Sequence, residues 1–227
     1  MIDYSIGITT YSYRFERFLI NLVKEIRKDK NNEIILAING NYKQPFDEVY
    51  RKNVLNFCTE YENIYPFMFP NFRSLAKMWN NIAINASNNY IVMLNDDISI
   101  FDPIFWKSVE GNIEKYQTSF KMDNTFCYFV VKRDELDQLG WFDERYLGIG
   151  WEDTDFIDRY EKTYNRKFLN ILGVPGAKRF TDFENVIVNQ RVIYKYSVFN
   201  NEIYDQKLPF VPQYPHEKFF WANGDKL

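Results

Sequence analysis

Apolar positions in the first part of the chain follow two periods in turn. Ser5–Thr10, Glu33–Ile38 and Ile64–Phe69 are short apolar, β-branched runs bounded by turn residues, a pattern that predicts strands. Between them the spacing becomes helical. Phe15, Phe18, Leu19, Leu22, Val23 and Ile26 form one stripe, and Pro45 opens a helix running to about Tyr61. Leu75, Ala76, Trp79, Ile82, Ala83 and Ala86 mark a third helix, stopped by Asn88-Asn89. Tyr90-Ile91-Val92-Met93-Leu94 is then a strand apolar on both faces, running straight into Asn95-Asp96-Asp97. The order βαβαβαβ predicts an α/β fold with a doubly wound, mostly parallel sheet flanked by helices. Ligands of such sheets sit beyond the carboxyl ends of the strands, where Asn95-Asp96-Asp97 falls.

After Asp97 the pattern changes. Pro103 starts a helix carrying Ile104, Phe105, Val109 and Ile113, Thr125–Lys132 reads as a strand, and Arg133–Leu139 as a short helix stopped by Gly140. Gly148 and Gly150 flank a loop, and Trp151-Glu152-Asp153 begins a helix whose apolar face is Phe156, Ile157 and Tyr160. A strand follows at about Lys167–Leu172. Val186–Val188 and Arg191–Tyr196 fit strand or helix, and the tail from Pro209, rich in proline and aromatics, reads as a surface segment.

Two acidic stretches carry the candidate chemistry. Asp96 and Asp97 have no cation beside them in sequence and would repel each other, which a divalent ion, Mg²⁺ or Mn²⁺, would relieve through oxygen ligands. A solvated turn with an Asx cap accounts for the same residues. Glu152, Asp153, Asp155 and Asp158 crowd the start of one helix. There the helix dipole stabilises acids by about 0.3–1 kcal/mol each. The dipole does not explain the glycine-flanked loop before them. Glycine lets backbone approach a ligand, Trp151 offers a face for a sugar, and a carboxylate could take a proton from an attacking hydroxyl.

Composition narrows the picture. At 227 residues one domain is expected, and 46% hydrophobic with 19% aromatic residues suffices for a large core. A net charge of −3 gives no broad basic face for nucleic acid. Cys58 and Cys127 lack metal-ligand spacing and read as buried thiols of a reducing compartment. Met1-Ile2-Asp3 does not open a signal peptide, and no apolar run is long enough to span a membrane. The expectation is a cytoplasmic protein. The aromatic tail, with Phe219-Phe220-Trp221, is the candidate for sealing the core, for a homodimer contact or for peripheral contact with a membrane.

The residues resemble a known family, the GT-A nucleotide-sugar glycosyltransferases of the family-2 type, over roughly residues 4–160. Ile6-Gly7-Ile8-Thr9-Thr10-Tyr11 is similar to that family's opening strand and nucleotide-binding loop. Asn80 precedes the central strand as the family's asparagine does, and Asn95-Asp96-Asp97 stands at its DxD position. Leu139-Gly140-Trp141-Phe142-Asp143-Glu144, followed by Gly150-Trp151-Glu152-Asp153-Thr154-Asp155-Phe156 and Arg159, matches "GxFDE … EDxDxxxR". The chain departs from the pattern at three positions. Asn95 replaces the first DxD carboxylate, Trp79 replaces a basic residue, and Ile82 replaces a glycine; Arg73 or Lys77 are other sources of the missing charge.

The resemblance implies a single GT-A domain over 1–227, with a nucleotide-binding half to about residue 100, an acceptor-binding half over about 101–208 and a tail. It implies a nucleoside-diphosphate sugar as donor, a divalent metal, and a glycan or glycoconjugate hydroxyl as acceptor. Thr9, Tyr11 and Asn39 would lie near the nucleoside, with Asn80, Asn95 and Asp96 also on the donor side. Asp97 would ligate the metal, Asp153 would be the base of an inverting transfer, and Trp151 and Glu152 would shape the acceptor pocket. His216, the one histidine of the chain, would complete the metal shell from the tail; a surface histidine is the competing reading. A sugar-phosphate nucleotidyltransferase would need a glycine-rich basic loop where Thr9-Thr10-Tyr11-Ser12-Tyr13 stands. A non-catalytic carbohydrate-binding protein on the same fold would not need both Asp97 and Asp153.

Overall fold

The computed structural model describes residues 2–10, 14–40, 47–180, 200, 201 and 203–205. Tyr11, the stretch 186–196, the tail from Pro209 and His216 lie outside the described residues.

Strands β1 (Tyr4–Thr10), β2 (Ile34–Ile38), β3 (Ile64–Met68) and β4 (Tyr90–Asn95) form the parallel half of a seven-stranded sheet. The helices between them are α1 (Ile20–Asp29), α2 (Glu48–Cys58) and α3 (Leu75–Asn85); a π-helical turn at Phe15–Leu19 leads into α1. Beyond β4 come β5 (Ile98–Ile100), α4 (Ile104–Tyr116), β6 (Phe120–Met122), β7 (Thr125–Lys132), α5 (Arg133–Leu139), α6 (Glu152–Tyr164), β8 (Leu169–Ile171) and β9 (Ala177–Arg179). The sheet order is β3-β2-β1-β4-β7-β6-β8. Only β7 runs against the rest: it is antiparallel to β4 and β6, and β8 is parallel to β6. The result is a mostly parallel sheet with one reversed strand, a GT-A-like variant of the doubly wound arrangement. A separate two-stranded sheet pairs β5 with β9.

Both faces of the sheet are covered, so β2 and the body of β4 are apolar on both sides. Val92 and Leu94 of β4 join Ile6, Ile8, Leu36 and Val130 in the core under α1, α2 and α4. Ile91 and Met93 face the other way, into a core with Trp79, Phe129, Phe142 and Phe156 under α3, α5 and α6. Gly7 of β1 is what allows α3 to lie so close. A Cβ there would strike Ile82 Cγ2 and come within 2.9 Å of Met93 Sδ. Ile82 therefore occupies the room that a side chain at position 7 would need.

Helix ends follow local chemistry. Asp47 caps α2 by accepting from the Val49 and Tyr50 amides, and Ser74 caps α3 by accepting from Lys77. Gly140 (φ 86°) closes α5 in the left-handed region. Trp151 enters α6 at φ 75°, an unusual conformation for so large a side chain. Both cysteines are free and buried. No helix among the described residues is long and apolar enough to cross a membrane.

Candidate active site

The end of β4 delivers Asp96 and Asp97 into the interior, not into solvent; they are 0% and 1% exposed. The expectation of two carboxylates without a cation is corrected here by residues distant in sequence. Arg14 Nη2 lies 2.8 Å from Asp96 Oδ1 and 3.0 Å from Asp97 Oδ2. Arg179 Nε lies 3.3 Å from Asp97 Oδ2. Thr10, the last residue of β1, donates its hydroxyl to Asp96 Oδ2 at 2.6 Å. Tyr50 is buried beside the same group. Burial pushes the Asp96 carboxyl up to about 7; Arg14 opposes the rise and Asp97 adds to it.

Thr9 and Asn95 are partners in the β1–β4 register, and Thr9 Oγ1 donates to Asn95 Oδ1 at 3.3 Å. Asn39, at the end of β2, ties that edge to the approach of α3. It donates to the Arg73 carbonyl at 2.9 Å and accepts from the Arg73 amide at 2.7 Å. Thr9, Asn39, Asn95 and Asp96 thus gather at the carboxyl edge of the parallel strands. Lys77 is not a free source of charge there: it is buried, with Nζ 3.7 Å from Glu144 Oε2.

The fit of a divalent cation can be judged from the donors. Asn95 is neutral, both Asp96 oxygens face Arg14 or the Thr10 hydroxyl, and Asp97 Oδ2 faces the guanidinium groups of Arg14 and Arg179. Among the described residues no three His, Cys, Asp or Glu side chains group to hold a metal. A hard cation at a diphosphate takes one or two protein carboxylates beside the phosphate oxygens; here both carboxylates are already paired with guanidinium groups, and the described residues do not fit one.

The second cluster reaches the same edge through its supports. The Leu75 amide at the start of α3 donates to the Gly148 carbonyl at 2.9 Å, fixing the glycine loop beside the carboxyl ends of the strands. Asn80 on α3 is buried and holds the preceding segment: it donates to the Phe142 carbonyl at 2.8 Å and to Glu144 Oε1 at 3.0 Å, and accepts from the Phe142 amide at 3.0 Å. Arg159 holds the same segment from α6, donating to the carbonyls of Leu139 and Trp141 at 2.8 and 2.7 Å while pairing with Asp155 at 2.8 Å. Asn80 and Arg159 therefore hold the 139–144 segment from two helices.

Glu152 turns inward, 4% exposed, and its Oε2 accepts from the Gly150 amide at 2.6 Å. Burial and the charge of Asp153 push its carboxyl up to about 8. Asp153, half-buried in the first turn of α6, accepts from the Thr154 amide at 2.8 Å through Oδ1. Trp151 packs on Tyr204, with ring centroids 4.8 Å apart. Asn200 bridges the Leu147 amide and the Leu147 and Gly150 carbonyls at 2.8–3.0 Å.

Arg14, Arg179, Asn200 and Tyr204 were not among the residues expected from sequence. Arg14 carried a signal, as a cation following the first strand at the edge where Asp96 emerges. Arg179 and Asn200 carried none, because their places depend on strand β9 and on the chain returning from far away.

No protein-family model matches the chain, and no characterised protein matches it at the level of sequence. Its fold is shared with solved structures of very different sequence. TarS of S. aureus superposes with a TM-score of 0.60 at 11% identity, covering 98% of this chain and 43% of TarS. A mannosyltransferase from Pyrobaculum calidifontis, solved with GDP-Man and Mn²⁺, gives 0.61 at 10% identity, covering 97% of this chain and 68% of that one. Glucosyl-3-phosphoglycerate synthase from Mycobacterium tuberculosis, solved with Mn²⁺, UDP and glucosyl-3-phosphoglycerate, gives 0.59 at 9% identity, with 88% and 80% covered. The chain spans less than half of TarS. At these identities the comparisons show the GT-A-like fold.

Proposed function

We propose that this chain is a glycosyltransferase that moves a sugar from a nucleoside diphosphate to a hydroxyl of a glycan or glycoconjugate, with inversion at the anomeric carbon. The observation that carries the reading is Asp153. Its carboxylate stands in the first turn of α6, behind a glycine loop that hydrogen bonds from Leu75 and Asn200 hold beside the carboxyl edge of the sheet. Such an edge is where α/β folds place their ligands. Neighbours of the same fold were solved with UDP or GDP-Man bound, which supports a nucleotide-sugar donor.

In this reading the nucleoside lies over β1 and β2, near Thr9 and Asn39, and the diphosphate reaches the end of β4. The bond between the anomeric carbon and the diphosphate oxygen breaks while the acceptor oxygen attacks from the opposite face. Asp153 takes the acceptor's proton, and the nucleoside diphosphate leaves with the bonding electron pair. The positive charge developing on the sugar ring is favoured by the same carboxylate. Trp151 presents an aromatic surface at the acceptor side. Residues to about 100 form the nucleotide half, and about 101–208 the acceptor half. Incubating the full chain with a panel of nucleotide sugars and following release of the nucleoside diphosphate tests the reading; an enzyme inert toward every donor, with and without added Mn²⁺, would contradict it.

A further inference from the structure

Two guanidinium groups converge on one carboxylate oxygen at the end of β4. Asp97 Oδ2 is 3.0 Å from Arg14 Nη2 and 3.3 Å from Arg179 Nε. Backbone pairing fixes this meeting. Arg179 of β9 lies opposite Ile98 of β5, and the Phe180 amide donates to the Asp97 carbonyl at 2.7 Å. Arg14 bridges Asp97 to Asp96 from the other side.

With both carboxylates ionised, the charges of this cluster balance: two carboxylates against two guanidiniums. Arginine stays protonated at any working pH, so the positive side of the cluster does not depend on solution conditions. A divalent ion would have to displace a guanidinium from these oxygens or add two further positive charges beside it. The two arginines differ in access. The Arg14 side chain is 4% exposed, whereas that of Arg179 is 40% exposed. A guanidinium has five N–H donors in a rigid fork, and Arg179 turns Nε toward Asp97. A partly exposed fork, braced on one side by a carboxylate, matches the oxygens of a phosphate.

We propose that Arg179, braced by Asp97, binds the donor's diphosphate directly without a divalent ion, and that buried Arg14 closes Asp96 and Asp97 to metal. The inference rests on the transferase reading and goes further, by naming the group that meets the diphosphate and by removing the metal from the site.

Isothermal titration of the full chain with UDP, GDP, ADP, CDP and dTDP tests it, first in excess EDTA and then in Mn²⁺. At least one nucleoside diphosphate should bind in EDTA, with affinity within about threefold of that in Mn²⁺. Arg179→Ala should weaken that binding by about tenfold or more, and Arg179→Lys should recover part of the loss. Paramagnetic resonance of Mn²⁺ added to the nucleotide-bound protein should show the free aqueous ion. Binding that needs Mn²⁺, or an unchanged affinity in folded Arg179→Ala, would overturn the inference and leave the transferase reading standing. Failure of every nucleotide in both buffers would overturn both. The wild-type comparison needs no variant, so the test does not depend on how a substitution folds.

Discussion

Asn80 and Phe142 exchange two hydrogen bonds, the side-chain amide of one meeting both backbone groups of the other at 2.8 and 3.0 Å. This clamp joins α3 to the segment before the glycine loop and is wholly buried. Asn80→Leu leaves both Phe142 backbone groups without this partner and should destabilise the protein by about 2–4 kcal/mol in urea unfolding. A loss below about 1 kcal/mol would show that water or a neighbour replaces the clamp.

The acidic pair makes a stronger demand on stability. Asp97→Asn removes one charge from a buried cluster that retains Arg14, and breaking such a cluster costs about 3–5 kcal/mol. Thermal and urea unfolding should show that loss whether or not metal ions are present. A variant rescued to wild-type stability by leaving out metal would point to a different role.

Close packing of α3 on β1 predicts a further loss. Gly7→Ala places a methyl against Ile82 and Met93 and should cost about 1–3 kcal/mol. Ile82→Ala in the same chain should return part of it, since Ile82 is the nearer obstacle. Additive losses in the double-mutant cycle would mean that the two positions do not compete for space.

Glu152 gives the stability a pH dependence of known sign. Its folded pKa, about 8, lies above the unfolded value of about 4.3. Between those values the folded protein holds a proton that the unfolded chain has released. This contribution is full below the unfolded value and is lost as pH rises, at a slope of up to about 1.4 kcal/mol per pH unit. Glu152→Gln should flatten that fall and be the more stable protein at alkaline pH. Identical pH profiles for the two proteins would show Glu152 ionised in the fold.

β2 and β4 were legible because burial on both faces left continuous apolar runs, and β1 and the edge strand β3 because turn residues bound their short runs. Their helices were legible for the complementary reason, a single apolar stripe. The reversal of β7 was not, since a strand's pattern reads alike in both directions and its connection decides. Three-residue strands such as β5 and β9 leave no period to count and exist through their distant partners. Asp96, Asp97 and Asp153 stood out in the sequence by their places at element ends. The residues completing them, Arg14 and Arg179, meet only after the sheet has formed. Asn80 and Arg159 were found by resemblance, yet what they do is hold a loop, visible only in their hydrogen bonds.

The role proposed for Asp153 is to take the acceptor's proton. The most direct measurement is transfer catalysed by wild-type and Asp153→Asn proteins with the donor found active in the nucleotide-sugar panel, with the product's anomeric configuration read by NMR. The account predicts an inverted linkage, a kcat lowered by about two to four orders of magnitude in the variant, and unchanged donor affinity. A retained linkage, or a variant as fast as the wild type, would contradict it.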